Sequence, residues 1–150
     1  MKKVIFLMIS IAIFASLLLI GWLGWKGYSQ KKMMAKVSTY KIDYSQDENP
    51  KVKIENLSDE KFCFSTCYPY YLERNQEGKF KSYEYGACPE QEKIDSCIEP
   101  GTQKSFELFL NKSEIKKGLH RIAIPACVGC LSGGNFTAEK WFYSNPFNIK

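Results

Sequence analysis

Six cysteines are the residues best able to do chemistry in this chain: Cys63, Cys67, Cys88, Cys97, Cys127 and Cys130. The last two form the motif CVGC. Two cysteines separated by two residues suit a redox dithiol, half of a zinc site or half of a disulfide framework. A redox dithiol needs a helix N-terminus beside it to lower the nucleophile's pKa. Here CVGC runs into LSGGNF, which starts no helix. A structural zinc site could use C-x3-C at Cys63 and Cys67 with C-x2-C at Cys127 and Cys130, four thiolates in two short-spaced pairs. An even number of cysteines in a small exported domain instead makes a disulfide framework, with fifteen possible connectivities. The compartment decides between zinc and disulfides, so the elements that fix the compartment come next.

Val4 to Trp25 carries no charged residue. As a helix those 22 residues cover roughly 33 Å, enough to cross a bilayer core. Trp22 and Trp25 mark its downstream end, where amphipathic rings prefer the headgroup level. A cleaved signal peptide has a shorter apolar core and a small-x-small cleavage site. The span here ends in WLGWK, so the expectation is an uncleaved signal anchor over residues 1–25, followed by a basic stalk over 26–36. Lysines flank the span on both sides, so charge does not set its orientation. The cysteines set it: all six lie beyond the span, and a disulfide reading places residues 37–150 outside the cytoplasm.

Within 37–150, polar turn formers such as SQDENP, NLSDE, NQEG and EPG separate short alternating runs. VSTYKIDY places Tyr40, Ile42 and Tyr44 on one face, KVKIEN places Val52 and Ile54, and KFCFSTCY places Phe62 and Phe64. QKSFELFL sets Phe106, Leu108 and Leu110 together, and GLHRIAI sets Ile122 and Ile124. A period of two in aromatic and β-branched residues predicts half-buried strands. Seven to eight of them, about ten residues apart, predict an all-β antiparallel sandwich. Helical periodicity is confined to a possible turn at Lys112–Lys117, and Gly133–Gly134 reads as a turn.

Strand geometry also limits the cysteines. If CFSTC is extended, Cys63 and Cys67 are about 13 Å apart, beyond the roughly 7 Å a disulfide spans. Cys88 and Cys97 bracket a polar excursion and are expected to pair locally. Cys63 and Cys67 then meet Cys127 and Cys130 on the face opposite Phe62 and Phe64, outside the main core, and pin Pro125–Lys140 to the sheet.

No residue set supports catalysis. His120 is the only histidine, is expected at the surface, and has no nucleophile elbow to serve. The acids form no glycosidase-like pair, and no phosphate loop or cofactor motif occurs. Acids and lysines are interspersed, and the formal charge is +3 once Lys2 and Lys3 are set aside, which does not read as a nucleic-acid footprint. Aromatic residues make up 15% of the chain, densest at YPYY and WFY. These serve either the core or a binding face for peptide or glycan, made by Tyr68, Tyr70, Tyr71, Trp141 and Tyr143. The sequons at Asn56, Asn111 and Asn135 matter only in a glycosylating host.

YLERNQEGKFKSY, IEPGTQKSFEL and KKGLHRIAI, within about 51–124, together resemble a bacterial Ig-like domain of envelope-anchored proteins. Leu72, Glu73, Gly78, Phe80, Pro100, Gly101, Phe106, Gly118, Arg121 and Ile122 occupy its motif places. Phe80 and His120 replace its usual Trp and Tyr, and the six cysteines depart from it. The resemblance implies an Ig-like sandwich at the cell envelope and no catalytic residues. The expectation is therefore a non-catalytic, single-pass membrane protein with an extracytoplasmic adhesion, scaffold or partner-binding domain. The alternative is an envelope thiol–disulfide domain or one stabilised by zinc on four cysteines.

Overall fold

A computed structural model describes residues 33–88, 90–109 and 114–150. The anchor at 1–25, most of the stalk, Leu110, Asn111 and the start of the turn at Lys112–Lys117 lie outside the described residues. The described residues are all-β, with eleven strands: β1 Ala35–Thr39, β2 Asp43–Tyr44, β3 Lys51–Asn56, β4 Phe62–Ser65, β5 Tyr71–Gln76, β6 Lys79–Ser82, β7 Ile94–Ile98, β8 Gln103–Glu107, β9 Gly118–Val128, β10 Lys140–Tyr143 and β11 Phe147–Ile149. The count exceeds the expected seven to eight because some strands are only two to four residues long, too short to show a period in sequence. β1 begins at Ala35, inside the segment read as stalk.

The strands form two sheets. The smaller has the order β1-β3-β8, all antiparallel. The larger is organised by β9, eleven residues long. One edge of β9 pairs with β5 through residues 120–123 and with β4 through 127–128. The other edge pairs with β11 and then β10. β6 and β7 extend this sheet beyond β5 and β4. One pair is parallel, β2 with β11, so the architecture is not purely antiparallel.

Pro125 lies mid-strand in β9 without breaking it. The N–H of Ile122 points to the β10 side, where Ser144 Oγ accepts it. By alternation, the missing N–H of Pro125 would face the other edge, in the gap between the β5 and β4 pairings.

Val52 and Ile54 of β3, Phe62 and Phe64 of β4, Leu72 of β5 and Ile122 and Ile124 of β9 are fully buried in one core with Leu108 and Phe147. Each such side chain contributes roughly 1.5–3 kcal/mol by burial. The alternating runs read from sequence are thus the strands whose buried sides make this core. One run departs from expectation. The extended run is interrupted between β1 and β2, so Val37 and Tyr44 turn inward while Tyr40 and Ile42 remain exposed.

Asn56 is fully buried, so it works as a structural residue. Its side-chain amide donates to Glu60 O at 2.7 Å and Ile98 O at 3.3 Å, and its Oδ1 accepts from the N–H and hydroxyl of Ser58.

His120 corrects the sequence reading. It is fully buried, because period two places residue 120 on the same face as Ile122 and Ile124. Its Nδ1–H donates to Gly118 O at 2.8 Å, which leaves Nε2 to accept from the Tyr83 hydroxyl at 2.9 Å. Burial pushes its pKa below the ordinary value of 6.5.

Candidate functional site

The disulfides are Cys63–Cys97, Cys67–Cys88 and Cys127–Cys130. Neither the expected local pair of Cys88 with Cys97 nor a bridge from β4 to CVGC is present. Strand order explains both. β4 lies between β7 and β9, so Cys63 is in register with Cys97 on one side and Cys127 on the other. Cys67 has already left the strand: Ser65 Oγ accepts the N–H of Cys67 at 3.0 Å in a turn, and the side chain reaches Cys88.

Cys63 does lie outside the main core, as its parity against Phe62 and Phe64 requires. With Ile94 and Cys127 it forms a second cluster, closed by Cys97, Cys130 and Phe136. The segment after CVGC is held onto the sheet by backbone bonds, Phe136 N–H to Glu92 O and Ile94 N–H to Gly134 O, both 2.9 Å. No disulfide crosses from it to β4.

This arrangement separates the four thiols proposed for zinc, because Cys97 occupies the place given to Cys67. Among the described residues, two smaller groups have ligand atoms within 4.8 Å of one another: Cys67, Cys88 and Glu92, and Cys127, Cys130 and Glu139. In both, the sulfurs are bonded to each other and offer no thiolate to a metal.

The aromatic residues form a continuous strip in which Trp141 is exposed and Tyr68, Tyr71 and Tyr85 are half-buried. Tyr71 opens β5 opposite Ala123, and the next residue, Leu72, turns into the core, so Tyr71 stands on the outer face. Trp141 of β10 lies opposite Pro125 and is 46% exposed. Their rings meet at 5.7 Å, and Tyr71 continues to Tyr85 at 4.9 Å and Tyr85 to Tyr68 at 5.1 Å. Tyr143, also on β10, covers the Arg121 guanidinium at 4.0 Å, with Phe80 on another side of it at 4.3 Å. Arg121 Nε donates to Glu73 at 2.6 Å. Glu73 and Arg121 therefore make one ion pair, with the rings of Phe80 and Tyr143 packed on the guanidinium.

Two tyrosine hydroxyls of the strip, those of Tyr68 and Tyr85, are engaged internally. Tyr68 donates to Gly86 O at 2.8 Å, and Tyr85 accepts the N–H of Leu72 at 2.7 Å. Burial raises the pKa of Tyr71 and Tyr85, so both phenols stay neutral at physiological pH. The strip consequently offers a partner neutral ring faces.

Of the five aromatic residues named from sequence, Tyr68, Tyr71 and Trp141 are brought together and Tyr143 lies beside them on β10. Tyr70 is not part of the strip: it packs on Phe106 and its hydroxyl donates to Glu107 O at 3.3 Å. Tyr85 was missed, and Phe80 and Arg121 were named only as places in the resemblance, not as part of a binding face. The alternation of SYEY, which gives Tyr83 and Tyr85 one parity, was the available signal for Tyr85. Around the strip's end, Tyr68, Tyr70, Tyr85 and Phe109 line a cleft of about 370 Å³ whose rim includes Cys67.

No family model and no curated protein matches the chain. Over 77% of its length the chain is similar to a mutant β-glucosidase from Listeria innocua in complex with laminaribiose, at 15% identity and a TM-score of 0.35. It is similar over the same share to β-glucosidase from Listeria innocua in complex with isofagomine, at 16% identity and a TM-score of 0.34. The chain spans 16% of the length of each. A likeness this distant carries no argument about function.

Proposed function

We propose that this chain is a non-catalytic, membrane-anchored binding module of the cell envelope. In this reading an N-terminal span holds an extracytoplasmic Ig-like sandwich, and the strip Tyr68–Tyr85–Tyr71–Trp141 with the adjoining Tyr143 is its contact face. The observation that carries the reading is Trp141: a large ring nearly half exposed, continuous with three tyrosine rings on the outside of a sheet whose inner face is already filled. Tyr and Trp dominate contact surfaces because they present large area at low entropic cost. With the hydroxyls of Tyr68 and Tyr85 engaged and the rings uncharged, the suited partner has a flat, C–H-rich surface: a sugar face, or apolar side chains of a protein. Three disulfides support an oxidising compartment.

The experiment is co-sedimentation of the wild-type domain and of a Tyr71→Ala, Trp141→Ala double variant with isolated envelope material. Retention should fall at least tenfold in the variant, which corresponds to about 1.4 kcal/mol, with little change in melting temperature. Equal retention, or loss of retention only in parallel with unfolding, would return these rings to a packing role.

A further inference from the structure

Cys63 has a cysteine directly across from it on both neighbouring strands, Cys97 on β7 and Cys127 on β9. Residues in register on antiparallel strands have Cα atoms about 4.5–5.5 Å apart, within the range a disulfide spans. Cys63 and Cys127 share the sheet face opposite Phe62, Phe64 and Ile124, and both are buried in the same small cluster. Cys63 is therefore bonded to one of two geometrically admissible partners, and the other is held in the neighbouring CVGC disulfide.

We propose that these four cysteines form a thiol–disulfide exchange site that takes two electrons from a protein dithiol outside the membrane. Entry is at CVGC. Its loop has a sequence separation of 3, against 34 for Cys63–Cys97, so it gains the least from closure. Cys130 is also the more accessible sulfur of the pair: Cys127 is only 3% exposed, whereas Cys130 is half-buried. The external dithiol attacks Cys130, is itself oxidised to a disulfide, and leaves Cys127 and Cys130 reduced. Cys127 thiolate then attacks Cys63 Sγ and forms Cys63–Cys127. The Cys63–Cys97 bond breaks, and Cys97 departs as a thiolate that takes a proton from water. Ser132 Oγ, 3.5 Å from Cys97 Sγ, is placed to donate to the departing sulfur. Two disulfides become one, with Cys97 and Cys130 as thiols. One reduced sulfur then stands on β7 at Cys97 and the other remains in the loop at Cys130, and β9 becomes stapled to β4 in place of β7. Cys67–Cys88 takes no part, since it lies beyond the turn at Ser65.

The test uses the full-length protein, dithiothreitol at one equivalent as the probe dithiol, acid quenching, alkylation and a non-reducing tryptic map. Before treatment, peptide 94–104 is joined to 62–74, and 122–140 carries its own internal disulfide. Exchange releases 94–104 with Cys97 alkylated and joins 122–140 to 62–74. Two results overturn the proposal: 122–140 gaining two alkyl groups while 94–104 stays attached, or release of 94–104 with no link between 62–74 and 122–140. A Cys130→Ser variant tests the same step without any reductant, because its Cys127 has no partner. Alkylation at Cys97 should rise at least about tenfold over wild type; alkylation at Cys127 with Cys97 still protected would contradict the mechanism.

Discussion

Deleting the disulfides one at a time ranks them in an order that depends on which cysteines pair. In the chain-entropy description a disulfide stabilises by limiting the unfolded chain, more for longer loops. The observed separations are 34 for Cys63–Cys97, 21 for Cys67–Cys88 and 3 for Cys127–Cys130. They correspond to about 3.8, 3.3 and 1.6 kcal/mol. Cys63→Ala with Cys97→Ala should therefore destabilise most, and the buried position of Cys63 adds a small cavity loss. Cys127→Ala with Cys130→Ala should destabilise least. In a domain of this size the two losses correspond to melting-point drops of roughly 15 °C and 6 °C. Guanidinium unfolding of residues 33–150, one compact unit, measures them directly. The alternative pairing, with Cys63 and Cys67 bridged to Cys127 and Cys130, inverts the ranking. There the Cys127 and Cys130 double variant would lose two long-range staples at once. A loss from that variant equal to or larger than that of the Cys63 and Cys97 variant would refute the pairing.

Three further outcomes follow from single positions. His120 has a folded pKa depressed below 6.5, so its neutral form is the one the fold favours. Stability should be fully present above the unfolded value and fall as pH drops below about 6.5; urea midpoints between pH 7.5 and 5 should fall less in a His120→Gln variant than in wild type. Asn56→Ala removes the side chain that joins Glu60 O, Ile98 O and Ser58, and should reduce unfolding free energy by about 1–3 kcal/mol in urea. Arg121→Ala strips the Glu73 ion pair and the contacts with Phe80 and Tyr143, and should lose about 1–2 kcal/mol. Arg121→Lys should recover only part of that, since an ammonium lacks the planar fork.

The core was legible in the sequence because alternation is a local property. Val52, Ile54, Phe62, Phe64, Ile122 and Ile124 face inward for the reason their parity gives, and the same parity puts Cys63 outside the main core. His120 carried the same information: the surface reading sets it out of step with Ile122 and Ile124, whereas residues 120, 122 and 124 share one parity and one buried face. The partners that make its burial acceptable, Tyr83 Oη and Gly118 O, come from elements with no local signature of that role. Disulfide pairing was not legible, since it depends on which strands are neighbours. Period two says which way Cys63 points and nothing about β7 and β9 lying on either side of it. The aromatic face was partly legible for the same reason. Tyr71 and Trp141 meet across β9 only because β5 and β10 pair with opposite edges of it.

The measurement that bears most directly on an exported, disulfide-held binding module is intact mass of the protein isolated from its native membrane under alkylating conditions, with and without reduction, alongside its zinc content. The account predicts no alkylation before reduction, six alkyl groups after reduction and unfolding, and no zinc. Several free thiols together with stoichiometric zinc would contradict it, because the cysteines would then hold a metal and the domain would face the cytosol.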